Sequence, residues 1–85
     1  MQISKPIQVY NPSDLQKLRE NQKLVVAGRV IEEKIYENSK TLILDNKVQV
    51  ICNNCPSYFN KNITVLGLFD NYNDNNKIIA LRIKS

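Results

Sequence analysis

Histidine is absent from this 85-residue chain. With it go the commonest general base, the usual activation schemes for serine and cysteine nucleophiles, and most catalytic zinc sites. No apolar run approaches about 18 residues, and no charged-then-apolar leader precedes a cleavage motif. Neither a membrane span nor secretion is therefore expected, and the expected location is cytoplasmic. A polybasic arm is missing too. The net charge of +4 is spread as small excesses of one, one and two over residues 1–22, 23–60 and 61–85. That balance permits a phosphate-tracking groove without demanding one. Two cysteines, Cys52 and Cys55, have the spacing of half a zinc site, but no third cysteine or histidine completes it. The βαβ context of a redox Cys-x-x-Cys is also lacking. The pair is expected to be reduced and metal-free, with Cys52 serving as a small buried hydrophobe. No cofactor and no catalytic residue is expected, and the protein is read as non-enzymatic.

What is present fits one domain of residues 1–85, with an N-terminal extension over 1–22 and a barrel over 23–84. A chain this short has a thin core, and closing a sheet on itself removes the edges that it could not otherwise cover. Asn11-Pro12-Ser13-Asp14 has the signals of a helix start: Asn11 caps, Pro12 suits the first position, and Asp14 suits the first turn. Leu15 and Leu18 give that helix one apolar side, and Asn21 is expected to end it. Pro6 to Tyr10 reads as a short extended segment.

From Lys23 the pattern becomes β-rich. The first strand runs over Leu24–Ile31, with Gly28 as a bulge or barrel corner. A turn at Glu37–Lys40 leads to a second strand over Thr41–Asp45, and Asn46 connects it to a third over Lys47–Cys52. Asn53 to Asn60 reads as a loop with a short helix. A fourth strand covers Ile63–Phe69, interrupted by Gly67, and an Asn/Asp-rich turn at Asn71–Asn76 leads to a fifth over Lys77–Lys84.

Val26-Ala27-Gly28-Arg29-Val30, Leu42-Ile43-Leu44-Asp45, Val48-Gln49-Val50-Ile51, Ile63-Thr64-Val65-Leu66-Gly67 and Ile79-Ala80-Leu81-Arg82-Ile83 follow one another in an order that resembles the OB-fold. More narrowly it resembles the anticodon-binding type found in replication protein A and class II aminoacyl-tRNA synthetases. The resemblance covers roughly residues 23–84 and departs from the family in its short Asp45-Asn46-Lys47 turn. It implies a mainly β, five-stranded Greek-key barrel with a short helix between its third and fourth strands. It also implies a ligand face on the second and third strands and the loops beside them, where cations meet phosphates and aromatic rings stack on bases. The residues placed there are Arg29, Tyr36, Lys40, Lys47, Gln49, Tyr72 and Lys77. The expected partner is single-stranded DNA or RNA, with no membrane. The alternative is a structural subunit of a larger nucleoprotein assembly, docked through its N-terminal 22 residues.

Three further features have plainer readings. Tyr58 and Phe59 are expected to plug the barrel rather than stack on a ligand. Asn62-Ile63-Thr64 matches a glycosylation acceptor by accident in a chain without a secretory signal. Glu32 and Glu33 are expected on opposite faces of the first strand, as a solubilising feature.

Overall fold

A computed structural model describes residues 5–71 and 76–85. Its elements in chain order are β1 (Ile7–Val9), a 3-10 helix (Pro12–Lys17), β2 (Lys23–Ile35), β3 (Lys40–Leu44), β4 (Gln49–Cys52), β5 (Asn62–Asp70) and β6 (Lys77–Lys84). The sheet order β2-β3-β4-β6-β5 closes on itself through a β2–β5 pairing, so five strands form a barrel. β1 is a sixth strand, laid parallel to β2 with Val9 opposite Val26.

The core follows from strand alternation. Leu24, Val26 and Val30 of β2 meet Leu42 and Leu44 of β3, Val50 of β4, Val65 and Phe69 of β5, and Ile78 of β6, all buried. Val9 and Leu15 join this cluster. Two residues of the N-terminal extension, the docking element under the assembly alternative, are thus part of the barrel's own core.

The long β2 contributes to both halves of the barrel. Its first half, Lys23–Arg29, pairs with β5 and its second half with β3, and the register shifts between Val30 and Glu32. That one-residue bulge reverses the alternation. Glu33, rather than Glu32, comes to lie opposite core residue Leu42. A Cβ on Gly28 would stand 2.8 Å from Asp45 Oδ1 and 3.3 Å from Leu44 Cβ, so glycine allows the end of β3 to cross closely there. At Gly67 a Cβ would stand 2.6 Å from the Ile79 carbonyl oxygen, an obstruction made of backbone.

Two sequence expectations change. The N-terminal helix is a six-residue 3-10 turn that ends at Lys17 rather than near Asn21. Its start signals operate as read: Asn11 Oδ1 accepts from the Ser13 N–H at 3.1 Å, and Asp14 Oδ2 accepts from Tyr10 N–H at 2.8 Å. Leu18, extended at φ −93° and ψ 154°, then turns the chain toward β2. Asn21 adopts φ 64° in the turn that follows. No helix forms between β4 and β5. Asn54 and Asn60 both have left-handed φ, Pro56 has no N–H to give, and Glu33 takes the Ser57 hydroxyl and Tyr58 N–H. Tyr58 packs against the core as expected, while Phe59 is 57% exposed.

Candidate nucleic-acid interface

The residues singled out by sequence separate into two groups along β4, a strand whose ends are about 10 Å apart at the usual rise per residue. Lys40 pairs with Cys52 at one end of that strand, and Tyr36 precedes it at the tip of the β2–β3 hairpin. At the other end stand Gln49 and Lys47, with Lys77 one residue before Ile78, the partner of Val50. Arg29 belongs with this second group, because its N–H and carbonyl both bond Asp45, at 3.2 and 2.8 Å. Tyr72 lies outside the described residues.

Within the hairpin group the two residues have different surroundings. Tyr36 is 54% exposed. Its backbone N–H donates to the Ser39 carbonyl at 2.8 Å, which fixes the turn and leaves the ring outside. Lys40 is turned toward the barrel mouth. Its ammonium lies 3.5 Å from Glu33 Oε2 and donates to the Cys55 carbonyl at 3.5 Å, with both charged side chains largely covered. Its charge is already matched by a carboxylate.

Glu33 organises this mouth. Burial on its own would push its carboxyl up. The Ser57 hydroxyl at 2.7 Å, the Tyr58 N–H at 3.2 Å and the Lys40 ammonium outweigh that and hold it below the ordinary 4.5. Sequence reasoning missed this role because the bulge that turns Glu33 inward has no glycine or proline to announce it.

The hairpin tip, residues 35–40, and the turn of residues 52–55 enclose an open cleft of about 530 Å³. Cys52 and Cys55 are joined as a disulfide across that turn, with Cα atoms 6.1 Å apart. This corrects the expectation of reduced thiols. The end of β4 and Asn54, at φ 54°, bring the two cysteines face to face. Cys52 is buried, as expected. Among the described residues no group of three or more potential metal ligands occurs.

The face of β3 and β4 that points away from the core carries residues the sequence could not assign, since Leu42-Ile43-Leu44 is apolar throughout. The register aligns Lys34, Thr41, Ile51, Ile79, Leu68 and Lys23 in one row across five strands. Ile43 opposes Gln49 in the next row. Ile43, Gln49, Ile51 and Ile79 are half-buried, Thr41 is buried, and the flanking lysines are exposed. Gln49 therefore lies opposite in facing to Val48 and Val50, and Lys34 is a flanking cation that sequence reasoning passed over.

Comparison with known proteins agrees with the barrel. No family model and no curated protein matches the chain by sequence. Among solved structures it is similar to a chain of the S. pombe Stn1–Ten1 complex, with a TM-score of 0.65 at 15% identity over 95% of this chain and 76% of that one. It is similar to the telomere capping protein Ten1 from Saccharomyces pombe, with a TM-score of 0.64 at 17% identity over 95% and 81%. An OBody bound to hen egg-white lysozyme matches with a TM-score of 0.66 at 16% identity over 95% and 94%.

The fold is an OB barrel. At these identities the likeness establishes architecture, and the site has to be argued from this chain's own residues.

Proposed function

We propose that the chain is a non-enzymatic module for single-stranded nucleic acid, bound across the outer face of β3 and β4. The observation that carries this reading is the apolar strip on that face, with the exposed Tyr36 at the tip of the adjoining β2–β3 hairpin. An apolar strip of Ile43, Ile51 and Ile79 is bordered there by Gln49, Lys34, Lys47 and Lys77. Bases stack on exposed rings and lie on apolar strips whatever their sequence, and lysines beside the strip meet phosphates. Arg29 extends the same proposed surface. Lys40 acts by holding the mouth in shape. Assignment to the anticodon-binding type belongs to the same proposal and rests on the strand pattern of residues 23–84. DNA is the strand to test first, since one of the similar structures is a telomere capping protein.

A second reading is favoured by one specific feature. Leu68, Ile79 and Ile51 form an unbroken apolar stretch on the outside of the barrel, and Leu81 beside them is 53% exposed. Apolar area of this kind suits a protein partner. Two of the similar barrels are seen against other proteins, in the Stn1–Ten1 complex and on lysozyme.

A titration of labelled 12-nucleotide DNA and RNA single strands, and of a duplex, at several salt concentrations separates the readings. If about three or four phosphates are engaged, log affinity falls with log salt at a slope of about −2 to −3. Lys47→Ala should weaken binding across sequences and make that slope shallower by less than about one unit. Duplex should bind more weakly, because its bases are already stacked. Single strands binding no better than duplex would leave the protein-subunit reading in front.

A further inference from the structure

Cys52 and Cys55 are separated by two residues, and the structure joins them at a Cα separation of 6.1 Å, within the usual range for a disulfide. The turn they close is a shared wall. On one side it lines the 530 Å³ cleft with hairpin-tip residues 35–40. On the other it lines a second cleft of about 310 Å³ with Tyr58 and residues 80–83 of β6. Whatever sets the shape of residues 52–55 sets both clefts.

That segment is held at three points. Cys52 is anchored at the end of β4. The Cys55 carbonyl accepts from Lys40 Nζ at 3.5 Å. Just beyond, Ser57 and Tyr58 are tied to Glu33. The second and third ties reach residues 55–58 and hold the loop to the barrel. The sulfur–sulfur bond spans Asn53 and Asn54, two exposed residues in the turn between the cysteines. Breaking it frees the part of the wall that lines the same cleft as Tyr36.

We propose that Cys52 and Cys55 form a reversible dithiol/disulfide modification site, and that its state sets the shape of the cleft beside Tyr36. The oxidant is a low-molecular-weight disulfide of the glutathione class. The half-exposed Cys55, as thiolate, attacks one sulfur of that disulfide and releases the first thiol, leaving a mixed disulfide. Cys52 then attacks Cys55 Sγ and releases the second thiol. Two electrons pass from the protein to the external disulfide, and the two protons leave with the released thiols. A monothiol of the same class reverses both steps. Cys52 is 6% exposed and serves as the resolving partner, whereas Cys55 lies in the loop and makes the first contact.

The ligand readout of this inference rests on the nucleic-acid reading, so its test includes one that does not. The full-length chain is equilibrated with reduced and oxidised glutathione at a series of ratios, quenched with acid, alkylated, and weighed by mass spectrometry. In each state, affinity for a fluorescein-labelled 12-nucleotide single-stranded DNA is measured, and backbone amide signals of residues 35–40 and 80–83 are recorded by NMR. The expected result is a reversible change between two alkylated thiols and none. With it, the amide signals of both cleft walls shift and DNA affinity differs at least threefold. Cys55→Ser should match the reduced protein in every buffer, and it leaves the buried Cys52 untouched. Failure of the pair to oxidise at any ratio overturns the proposal, and so does oxidation that moves neither set of amide signals. If the signals move while DNA binds in neither state, the switch stands and the nucleic-acid reading falls. If the signals move while DNA binds equally in both states, the switch stands and the cleft is removed from the nucleic-acid surface.

Discussion

At the hairpin mouth of the barrel, the closing groups are an ion pair, a carboxylate fed by a hydroxyl and an amide, and a disulfide. At the opposite mouth, around Gly28, most of the closing is done by backbone and neutral amides. Asp45 N–H donates to the Arg29 carbonyl at 2.8 Å, Asn46 Nδ2 to the Ala27 carbonyl at 3.2 Å, and Val48 N–H to Asn46 Oδ1 at 3.1 Å. Asp45 Oδ1 adds one carboxylate bond to Arg29 N–H. The same small barrel thus has one end held by a titratable ion pair and a disulfide, and one held mainly by backbone and neutral amide hydrogen bonds. The cleft beside Tyr36 sits at the responsive end, where under the proposed function a change in the solution can be felt by a ligand.

The largest test of that contrast is Gly28→Val. A side chain there would press on Leu44 and on an Asp45 carboxylate already bonded to Arg29. The expected loss is about 2–3 kcal/mol, the usual cost of overpacking, and large for a domain of this size. Denaturant unfolding measures it. An unchanged midpoint would mean that β3 does not cross β2 closely at this position.

Glu33→Gln comes next, at about 1–2 kcal/mol, because it leaves the covered Lys40 ammonium without its charge partner and weakens two hydrogen bonds. Its pH signature distinguishes it from Gly28→Val. Since the folded-state pKa of Glu33 lies below 4.5, the carboxylate's contribution is complete above that value. It is lost as pH falls through the lowered folded value. Stabilities of wild type and Glu33→Gln should therefore converge in acid. A difference that stays constant from neutral pH into that range would show that Glu33 acts by packing alone.

Asn46→Ala is expected to cost about 1 kcal/mol by removing the two bonds that Asn46 makes across the glycine mouth. Neither bond titrates, so its difference from wild type should be flat over the same acid range. A pH-dependent difference would break the contrast between the mouths.

These variants also mark what the sequence made legible. Strand order and both glycine positions were visible, because β-rich runs separated by turn residues leave few arrangements open to so short a chain. The facing of Gln49 followed from Val48 and Val50. The inward turn of Glu33 did not, since one bulged residue with an ordinary side chain reverses all that follows it. Lys40 was placed on the ligand rim because nothing in the sequence pairs it with Glu33, seven residues away across the hairpin. The Cys52–Cys55 pair was judged by the missing βαβ context, whereas the local turn alone brings the two together. The segment between β4 and β5 was expected to contain a helix, yet two asparagines with left-handed φ and the reach of Glu33 decided against one.

The smallest effect on stability is expected from Tyr36→Ala, and it bears most directly on function. The ring is 54% exposed, and the hairpin contact at this position is made by backbone, Tyr36 N–H to the Ser39 carbonyl. Alanine preserves that bond, so the unfolding free energy should stay within about 0.5 kcal/mol of wild type. Affinity for a single strand should nonetheless fall by about 1–3 kcal/mol, the usual worth of one stacked base. That loss should persist at high salt, because stacking does not release counterions. Tyr10→Ala is the matched control. Tyr10 is 70% exposed, its backbone N–H is satisfied by Asp14, and it stands at the end of β1 away from the β3–β4 face. It should change neither stability nor affinity. Equal losses for the two tyrosines would point to nonspecific aromatic contact with the strand. A Tyr36 variant that binds like wild type would remove the hairpin mouth from the interface, leaving the apolar stretch of Ile51, Ile79 and Leu68 as the surface to probe with protein partners.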